Sequence, residues 1–456
     1  MSSHNSYKRQ TKRFISSKKL RVSVIGLGFV GLSIALVNSK KGFTTIGVDV
    51  NKEKIRNLKK GIPDFFEPGI ENYLDYCLKS NLIKFTTNLE ETLFNTDLTF
   101  VCVGTPPKND GTIDLKYIKN AIRNIHKILK SKKKYHLLVI KSTVFPQTTK
   151  DVVLLVFSDL LKKGLVDVVM NPEFLREGYA IKDILEPHLI VIGGNSKHGG
   201  QILEKYYRNF YGKLPEIIHC DPTTAELIKY ANNAFLATKI SFINSIANIC
   251  QNLPGVDVNV ISKAIGKDRR IGPLFLNAGP GFGGSCLPKD LSALINFSKR
   301  YDNTDMLFSA VEKVNKTQPI KVLNLIKKIN LLKPSKTISV LGLAFKKDTD
   351  DIRAATSIEI VKKLIKNKLI VKVHDPKAMD NFKKIFGNKI IYCQTVDECI
   401  KNSDCCLILT EWDSYKKLSP QKFKKLMKKP NIIDARRILD PKKFSKLNLQ
   451  AIGLGN

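Results

Sequence analysis

Residues 281–290 read Gly-Phe-Gly-Gly-Ser-Cys-Leu-Pro-Lys-Asp, so Cys286 follows a glycine run and stands four residues before the carboxylate of Asp290. Far upstream the chain reads Gly26-Leu27-Gly28-Phe29-Val30-Gly31. That run follows a β-rich stretch, Val22 to Ile25, and opens an apolar helix from Leu32, the context in which this glycine spacing binds a dinucleotide. Gly26 permits the tight turn, Gly28 lets the backbone approach a pyrophosphate, and Gly31 lets helix and strand pack closely. The phosphates then meet a helix N-terminus, where free N–H groups and the dipole favour anions. Asp49 closes the next strand, eighteen residues after Gly31. A carboxylate there binds the ribose hydroxyls and repels a 2′-phosphate, which selects NAD over NADP. Lys54 is either near the adenosine or a solvated helix lysine. A hydride acceptor and a nucleophilic thiol in one chain imply oxidation of an alcohol past the aldehyde to the acid. An aldehyde surrenders hydride only after a nucleophile has added to it, and Cys286 is that nucleophile.

Other residues have the types such chemistry needs. Lys229 and Asn233 are four apart in a helical stretch and share one face, where a lysine and an amide can stabilise an oxyanion or form a solvated stripe. Asp290 precedes an apolar run and is also an N-cap candidate. Glycines 281, 283 and 284 leave the backbone beside Cys286 open to a ligand, and their amides can hold an anion. The other eight cysteines read as small buried hydrophobes. Asn171-Pro172-Glu173-Phe174-Leu175-Arg176-Glu177-Gly178 follows a strand, the place where open α/β sheets bind ligands. Glu173 and Glu177 there can bind hydroxyls, order water or contact the cofactor. Thr143 ends another strand and either holds a water or caps. Thr105, in Gly104-Thr105-Pro106-Pro107, belongs to a turn beside the cofactor.

Two α/β regions must position these groups. Between residues 20 and 195, strands are expected at Arg21–Ile25, Thr44–Val48, Leu98–Val103, Leu137–Lys141, Val166–Met170 and Leu189–Ile192, in one parallel sheet with helical crossovers. Residues 222–252 carry apolar residues at helical spacing, with Pro222 in the first turn and Pro254-Gly255 ending the run. This long helix is a spine between two halves and can carry a subunit interface. The α/β alternation returns with strands at Thr337–Leu341, Ile370–Val373, Cys405–Leu409 and Ile432–Ile433. The fold expected is α/β, two Rossmann-like doubly wound domains joined by a long central helix. The boundaries are a basic disordered tail over 1–19, an NAD-binding domain over 20–215, a central helical and dimerisation domain over 216–330, and a second Rossmann-like domain over 331–456.

Composition excludes several classes. The 456 residues carry 76 basic and 41 acidic side chains, a net charge of +35. No spacing matches a nucleic-acid module, so the excess reads as a lysine-rich surface that attracts anionic substrates. A nucleic-acid-binding protein on a dehydrogenase scaffold is the reading from another class, and intact Cys286, Lys229, Asp290 and glycines argue against it. Nine scattered cysteines without a CxxC pair imply neither a disulfide framework nor zinc, and fit a reducing cytoplasm. Seven histidines lack metal-ligand spacing, so no metal is expected. No apolar stretch is long enough for a membrane span or a secretory signal.

As an ordered set the motifs resemble the nucleotide-sugar dehydrogenases. The matching stretches are Gly26–Gly31, Val103–Pro107, Lys141–Thr143, Asn171–Gly178, Glu226–Asn233, Arg270-Ile271-Gly272, Gly281–Asp290, Phe345–Arg353 and Asp434–Arg437. The resemblance implies NAD-dependent four-electron oxidation of UDP-glucose to UDP-glucuronate, with GDP-mannose as the runner-up substrate. The 2-acetamido-sugar enzymes fit less well, because they tend to carry histidine where this chain has Ser285. Cys286 matches the catalytic cysteine, Lys229 the catalytic lysine, Asp290 and Thr143 the water-activating network, and Glu173 a glutamate of thioester hydrolysis. Phe174, Leu175, Asn233, Arg270, Gly281, Phe282, Gly283, Lys346 and one of Arg436 and Arg437 match nucleotide-sugar contacts, Arg270 usually serving the neighbouring subunit. Glu177 and Arg353 match positions near the cofactor. The family's cofactor turn often has asparagine and threonine where this chain has Gly104 and Pro107, which puts the nicotinamide-ribose hydrogen bonds in doubt. The resemblance also implies that the domain over 331–456 is the UDP-sugar-binding one and that the chain forms a homo-oligomer.

Overall fold

The structure is a computed structural model that describes residues 20–302 and 304–455. The basic tail expected over 1–19 lies outside the described residues. The chain forms two compact units that divide between Ala231 and Asn232.

In the first unit eight short strands make one sheet: β1 (Val22–Ile25), β2 (Thr45–Val48), β3 (Ile83–Thr86), β4 (Leu98–Val101), β5 (His136–Ile140), β6 (Val166–Met170), β7 (Ile190–Gly194) and β8 (Ile217–Cys220). Their order is β3-β2-β1-β4-β5-β6-β7-β8. Adjacent residues along a strand face opposite sides, so Leu137 and Val139 enter one core while Leu138 and Ile140 enter the other. The helix Phe29–Lys40 covers the first face through Leu32, Ile34 and Leu36. The helix Lys116–Lys132 covers the second through Ile118, Ile122 and Ile125. Strands buried on both faces read as near-continuous apolar runs. Neighbouring strands are parallel except β6 with β7, which run antiparallel, a departure from the all-parallel expectation. The strand order reverses between β1 and β4, the switch point where such sheets leave a crevice at the strands' C-terminal ends.

The second unit repeats this design with β9 (Thr337–Leu341), β10 (Ile370–His374), β11 (Ile391–Tyr392), β12 (Cys405–Ile408), β13 (Asn431–Asp434) and β14 (Asn448–Ala451). Their order is β11-β10-β9-β12-β13-β14, all parallel. Here too Ile338 and Val340 of β9 enter one core and Leu341 another. The switch point lies between β9 and β12.

One helix, Pro222–Cys250, begins in the first unit and ends in the second. Asp221 caps it, its Oδ1 accepting from the Thr223 and Thr224 N–H groups at 2.9 and 3.1 Å. Gly255 follows its end at φ +77°. Phe235, Phe242 and Ile249, seven apart on this helix, are 66, 52 and 57% exposed. Among the described residues no helix is long and apolar enough to cross a membrane.

Candidate active site

The glycine turn after β1 is built as its spacing requires. Gly26 sits at φ +89°, and a Cβ there would stand 2.9 Å from the Cys102 backbone. A Cβ on Gly31 would lie 1.8 Å from the Gly26 carbonyl oxygen, so only glycine lets the helix come this close. Around Gly28, which precedes the helix Phe29–Lys40, a Cβ would meet nothing within 4 Å, and no side chain caps that helix. Open space before uncapped N–H groups fits the phosphates of a dinucleotide. At the end of β2, Asp49 accepts from Leu27 N–H through Oδ2 (2.9 Å) and from Asn51 N–H through Oδ1 (3.0 Å). Each oxygen keeps a lone pair for a ribose hydroxyl. Lys54 is not a solvated lysine. Its ammonium lies 2.9 Å from Asp64 and 3.9 Å from Asp49 and donates to the Leu27 carbonyl at 3.4 Å, bracing the turn. Beyond β4, Thr105 Oγ1 donates to the Thr143 carbonyl (2.8 Å), joining the two loops after β4 and β5.

A knot of charge closes the C-terminal ends of β5 and β6. Lys229 Nζ stands 3.0 Å from Glu173 Oε1, with both side chains more than nine-tenths buried. The second oxygen of Glu173 accepts from Leu175 N–H at 2.6 Å. The Phe174 ring centroid lies 5.5 Å from the Lys229 ammonium. Lys141, at the end of β5, donates to the Pro172 carbonyl at 3.4 Å. Burial pushes the Lys141 ammonium down to about 8, against the opposing pull of Glu173. Buried Glu67 holds the far end of the loop, accepting from Gly178 and Ala180 N–H groups at 2.6 and 2.8 Å, and Glu177 is buried beside it.

In the second unit Cys286 is partly buried and occupies the N-cap of the helix Leu287–Ser298, whose first turn contains Pro288. Ser285 Oγ lies 3.5 Å from its sulfur. Asp290 is not the N-cap. It lies one turn into the helix, buried, with its N–H bonded to the Cys286 carbonyl. Its Oδ2 accepts from Asn233 Nδ2 at 2.7 Å and its Oδ1 from Lys289 Nζ at 2.5 Å. Asn233 therefore faces inward, not into a solvated stripe.

The glycines before Cys286 are also required by packing: protein atoms fill the space that a Cβ would take at each. A Cβ on Gly283 would lie 2.5 Å from the Ala354 carbonyl oxygen, and one on Gly284 2.8 Å from the Phe345 ring. Gly281 sits at φ +108° against Asn315, whose side chain accepts from Phe282 N–H (2.7 Å) and donates to the Phe282 carbonyl (3.0 Å). Gly284 N–H donates to the Arg353 carbonyl at 2.8 Å. The Arg353 guanidinium is exposed and paired with Asp351. Two other cysteines, Cys102 and Cys220, are partly and not fully buried.

At the second switch point, Arg436 donates to the carbonyls of Leu409 (2.6 Å) and Phe345 (2.7 Å), with Glu411 at 3.3 Å. Its neighbour Arg437 is spent on Asp257 at 2.8 Å, which leaves Arg436 as the member of the pair at the strand ends. Lys346 stands over the Phe345 ring at 5.7 Å. Arg270 is set apart, exposed and folded back on Asp268. Among the described residues no group of three or more His, Cys, Asp or Glu side chains could hold a metal.

Sequence reasoning did not single out Lys141, Lys289, Glu67 or Asp375. Lys141 and Lys289 stand inside motifs it used, and a lysine ending an otherwise apolar strand was the available signal. Asp375 repeats the role of Asp49 at the end of β10, its Oδ2 accepting from Leu343 N–H at 2.7 Å. Nothing local marks Glu67, whose partners lie 111 and 113 residues away.

Three family models match in order. They are the NAD binding domain, the central domain and the UDP binding domain of the UDP-glucose/GDP-mannose dehydrogenase family, over residues 20–211, 223–317 and 339–441. The UDP-glucose 6-dehydrogenase of Rickettsia felis is 40% identical over 443 residues, 96% of each chain. The UDP-glucose 6-dehydrogenase TuaD of Bacillus subtilis is 38% identical over 95% of this chain and 91% of its own. The solved UDP-glucose dehydrogenase of Pyrobaculum islandicum superposes with TM-score 0.88 at 34% identity, covering 97% of this chain and 99% of that one. With the glycine turn, the buried Lys229–Glu173 pair and Cys286 in place, the chain belongs to the UDP-glucose/GDP-mannose dehydrogenase family and is an NAD-dependent oxidoreductase.

Proposed function

We propose that this enzyme oxidises C6 of UDP-glucose twice, giving UDP-glucuronate through a covalent intermediate on Cys286. Bound NAD⁺ supplies the acceptor for each of two hydrides. In the first oxidation the 6-hydroxyl passes its proton to a water held by Asp290 while the Lys229 ammonium donates a hydrogen bond to the oxygen, and C6 loses hydride. Cys286 sulfur then adds to the aldehyde, and Lys229 stabilises the oxyanion of the thiohemiacetal. Loss of the second hydride leaves a thioester. Glu173, Asp290 and Thr143 position the water that cleaves the C–S bond, releasing the carboxylate and the free thiol. The observation that carries this reading is Cys286 at a helix N-terminus, where negative charge on sulfur is stabilised, with Asp290 held one turn away by Asn233 and Lys289. Phe174, Leu175, Asn233, Phe282, Lys346 and Arg436 bind the nucleotide sugar, as do the backbones of Gly281 and Gly283. Asp49, Thr105, Glu177 and Arg353 serve the cofactor.

The exposed Phe235, Phe242 and Ile249 support a homo-oligomer in which Arg270 reaches a neighbouring subunit. Sedimentation or light scattering checks it, and a monomer at working concentration overturns it. Nine unbridged cysteines support a cytoplasmic site of action. Three domains, over 20–215, 216–330 and 331–456, complete the proposal. The deciding assay supplies UDP-glucose, GDP-mannose and UDP-N-acetylmannosamine in turn and counts NADH per sugar. Two NADH per UDP-glucose, with the others slower, is expected. One NADH, or a faster second sugar, refutes the assignment.

A further inference from the structure

Glu173 and Lys229 form a buried ion pair, and this conflicts with the work proposed for Lys229. To meet a substrate oxygen, its ammonium must leave the carboxylate. A buried carboxylate stripped of its partner is strongly unfavourable, on the order of 3–5 kcal/mol. A second cation already stands at the same loop. Lys141 Nζ donates to the carbonyl of Pro172, the residue before Glu173, and its charge is felt by both Glu173 and Lys229.

We propose that Lys141 is a positioning residue that balances the Glu173 carboxylate when Lys229 turns to the substrate. The inference rests on the role given to Lys229 above. The groups facing Lys141 from the adjoining elements allow it. Cys102, at the end of β4, is pushed up to about 12 by burial and stays a neutral thiol. Tyr207 is raised well above its ordinary range and bonds Asn171. Asp183 lines the same cavity of about 80 Å³ and is committed to Arg176 at 2.7 Å. Glu186 and His188 lie farther along that lining. The charges that respond to Lys141 are therefore Glu173 and Lys229. Since the Lys141 ammonium is held down to about 8, it is charged below that pH and neutral above it.

The test measures the single-turnover rate of the first NADH formed from UDP-glucose, a step before thioester hydrolysis, from pH 6 to 10. Lys141→Met is expected to lower this rate at least tenfold at pH 7, with KM within about threefold of wild type and an unchanged circular dichroism spectrum. Lys141→Arg, charged throughout, is expected to retain the rate at pH 7 and to shift the alkaline limb upward. Glu173→Gln removes the carboxylate that needs balancing, so Lys141→Met added to it should cost no more than twofold. A wild-type rate and pH profile for Lys141→Met, while Lys229→Ala is impaired, overturns the role of Lys141 alone. If Lys229→Ala also keeps the wild-type rate, the reading of Lys229 fails with it. Should Lys141→Met not fold, the Arg variant's pH profile decides: an unshifted alkaline limb refutes the inference.

Discussion

On the proposed route Cys286 and Lys229 carry separable parts of the reaction, so their substitutions should fail differently. Cys286→Ser keeps the first hydride transfer and removes the nucleophile for the second. Aldehyde should accumulate, bound or released, with no more than one NADH per sugar. Uronate formed at the wild-type rate by this variant would refute the covalent route. Lys229→Ala removes an oxyanion donor worth about 3–4 kcal/mol, so kcat should fall by roughly 10²–10³ while KM changes less. An unchanged kcat excludes the oxyanion role. The variant also strands Glu173, so part of any loss of stability belongs to the orphaned carboxylate and not to catalysis.

The two glycine turns explain why similar sheets take different ligands. After β1, Gly26 turns the chain and Asp49 accepts from Leu27; after β9, Gly342 does so at φ +97° and Asp375 accepts from Leu343. Asp375, however, is buried and also bonds Ala344, Lys377, Ala378 and Trp412. It has little capacity left for a ribose. The helix Thr356–Lys366 also begins well beyond its turn, so it presents no N-terminus there. Within the first turn, two glycines should respond in opposite ways. Gly28→Ala adds a methyl where the fold has room, so the melting temperature should hold within about 2 °C while NAD affinity drops at least tenfold. Gly31→Ala places a methyl against the Gly26 carbonyl, so melting and NAD binding should fall together. Calorimetry with and without NAD measures both. A Gly28→Ala protein with wild-type NAD affinity would remove Gly28 from the phosphate site.

For the molecule as a whole, stability should carry the signature of one buried acid. Glu226, in the first turns of the long helix, is fully buried, accepts from Thr149 N–H at 2.7 Å through Oε1, and has no partner at Oε2. Burial pushes this carboxyl up from 4.5 to about 7. The folded state therefore holds a proton between those pH values that the unfolded state has released. Stability contributed by this group declines as pH rises across that window and is at its minimum above it. Glu226→Gln keeps the Oε1 acceptor and removes the titration. Its gain over wild type should be near zero at pH 4 and reach roughly 1–3 kcal/mol at pH 8. Denaturant midpoints at the two pH values measure it, and an equal difference at both rejects the assignment.

The sequence by itself determined the α/β class, the long helix from Pro222 and most of the central strands, because buried strands are continuous apolar runs and a glycine turn has a fixed spacing. Val166–Met170 and Thr337–Leu341 agree with expectation residue for residue. It also singled out Cys286, Asp290, Lys229 and Glu173 as candidates, from a glycine run, helical spacing and a loop after a strand. The strands Ile83–Thr86, Ile217–Cys220, Ile391–Tyr392 and Asn448–Ala451 were not legible. All four lie at sheet edges, and each is short and includes polar or half-exposed positions that weaken the apolar signal. Only the tertiary structure decided which partners the functional groups have. Lys229 pairs with Glu173 across 56 residues of sequence and Asn233 holds Asp290 across 57. It also showed that the glycines before Cys286 are filled by Phe345 and Ala354. Such pairings depend on where separate strands and loops end in space, and no local spacing encodes that.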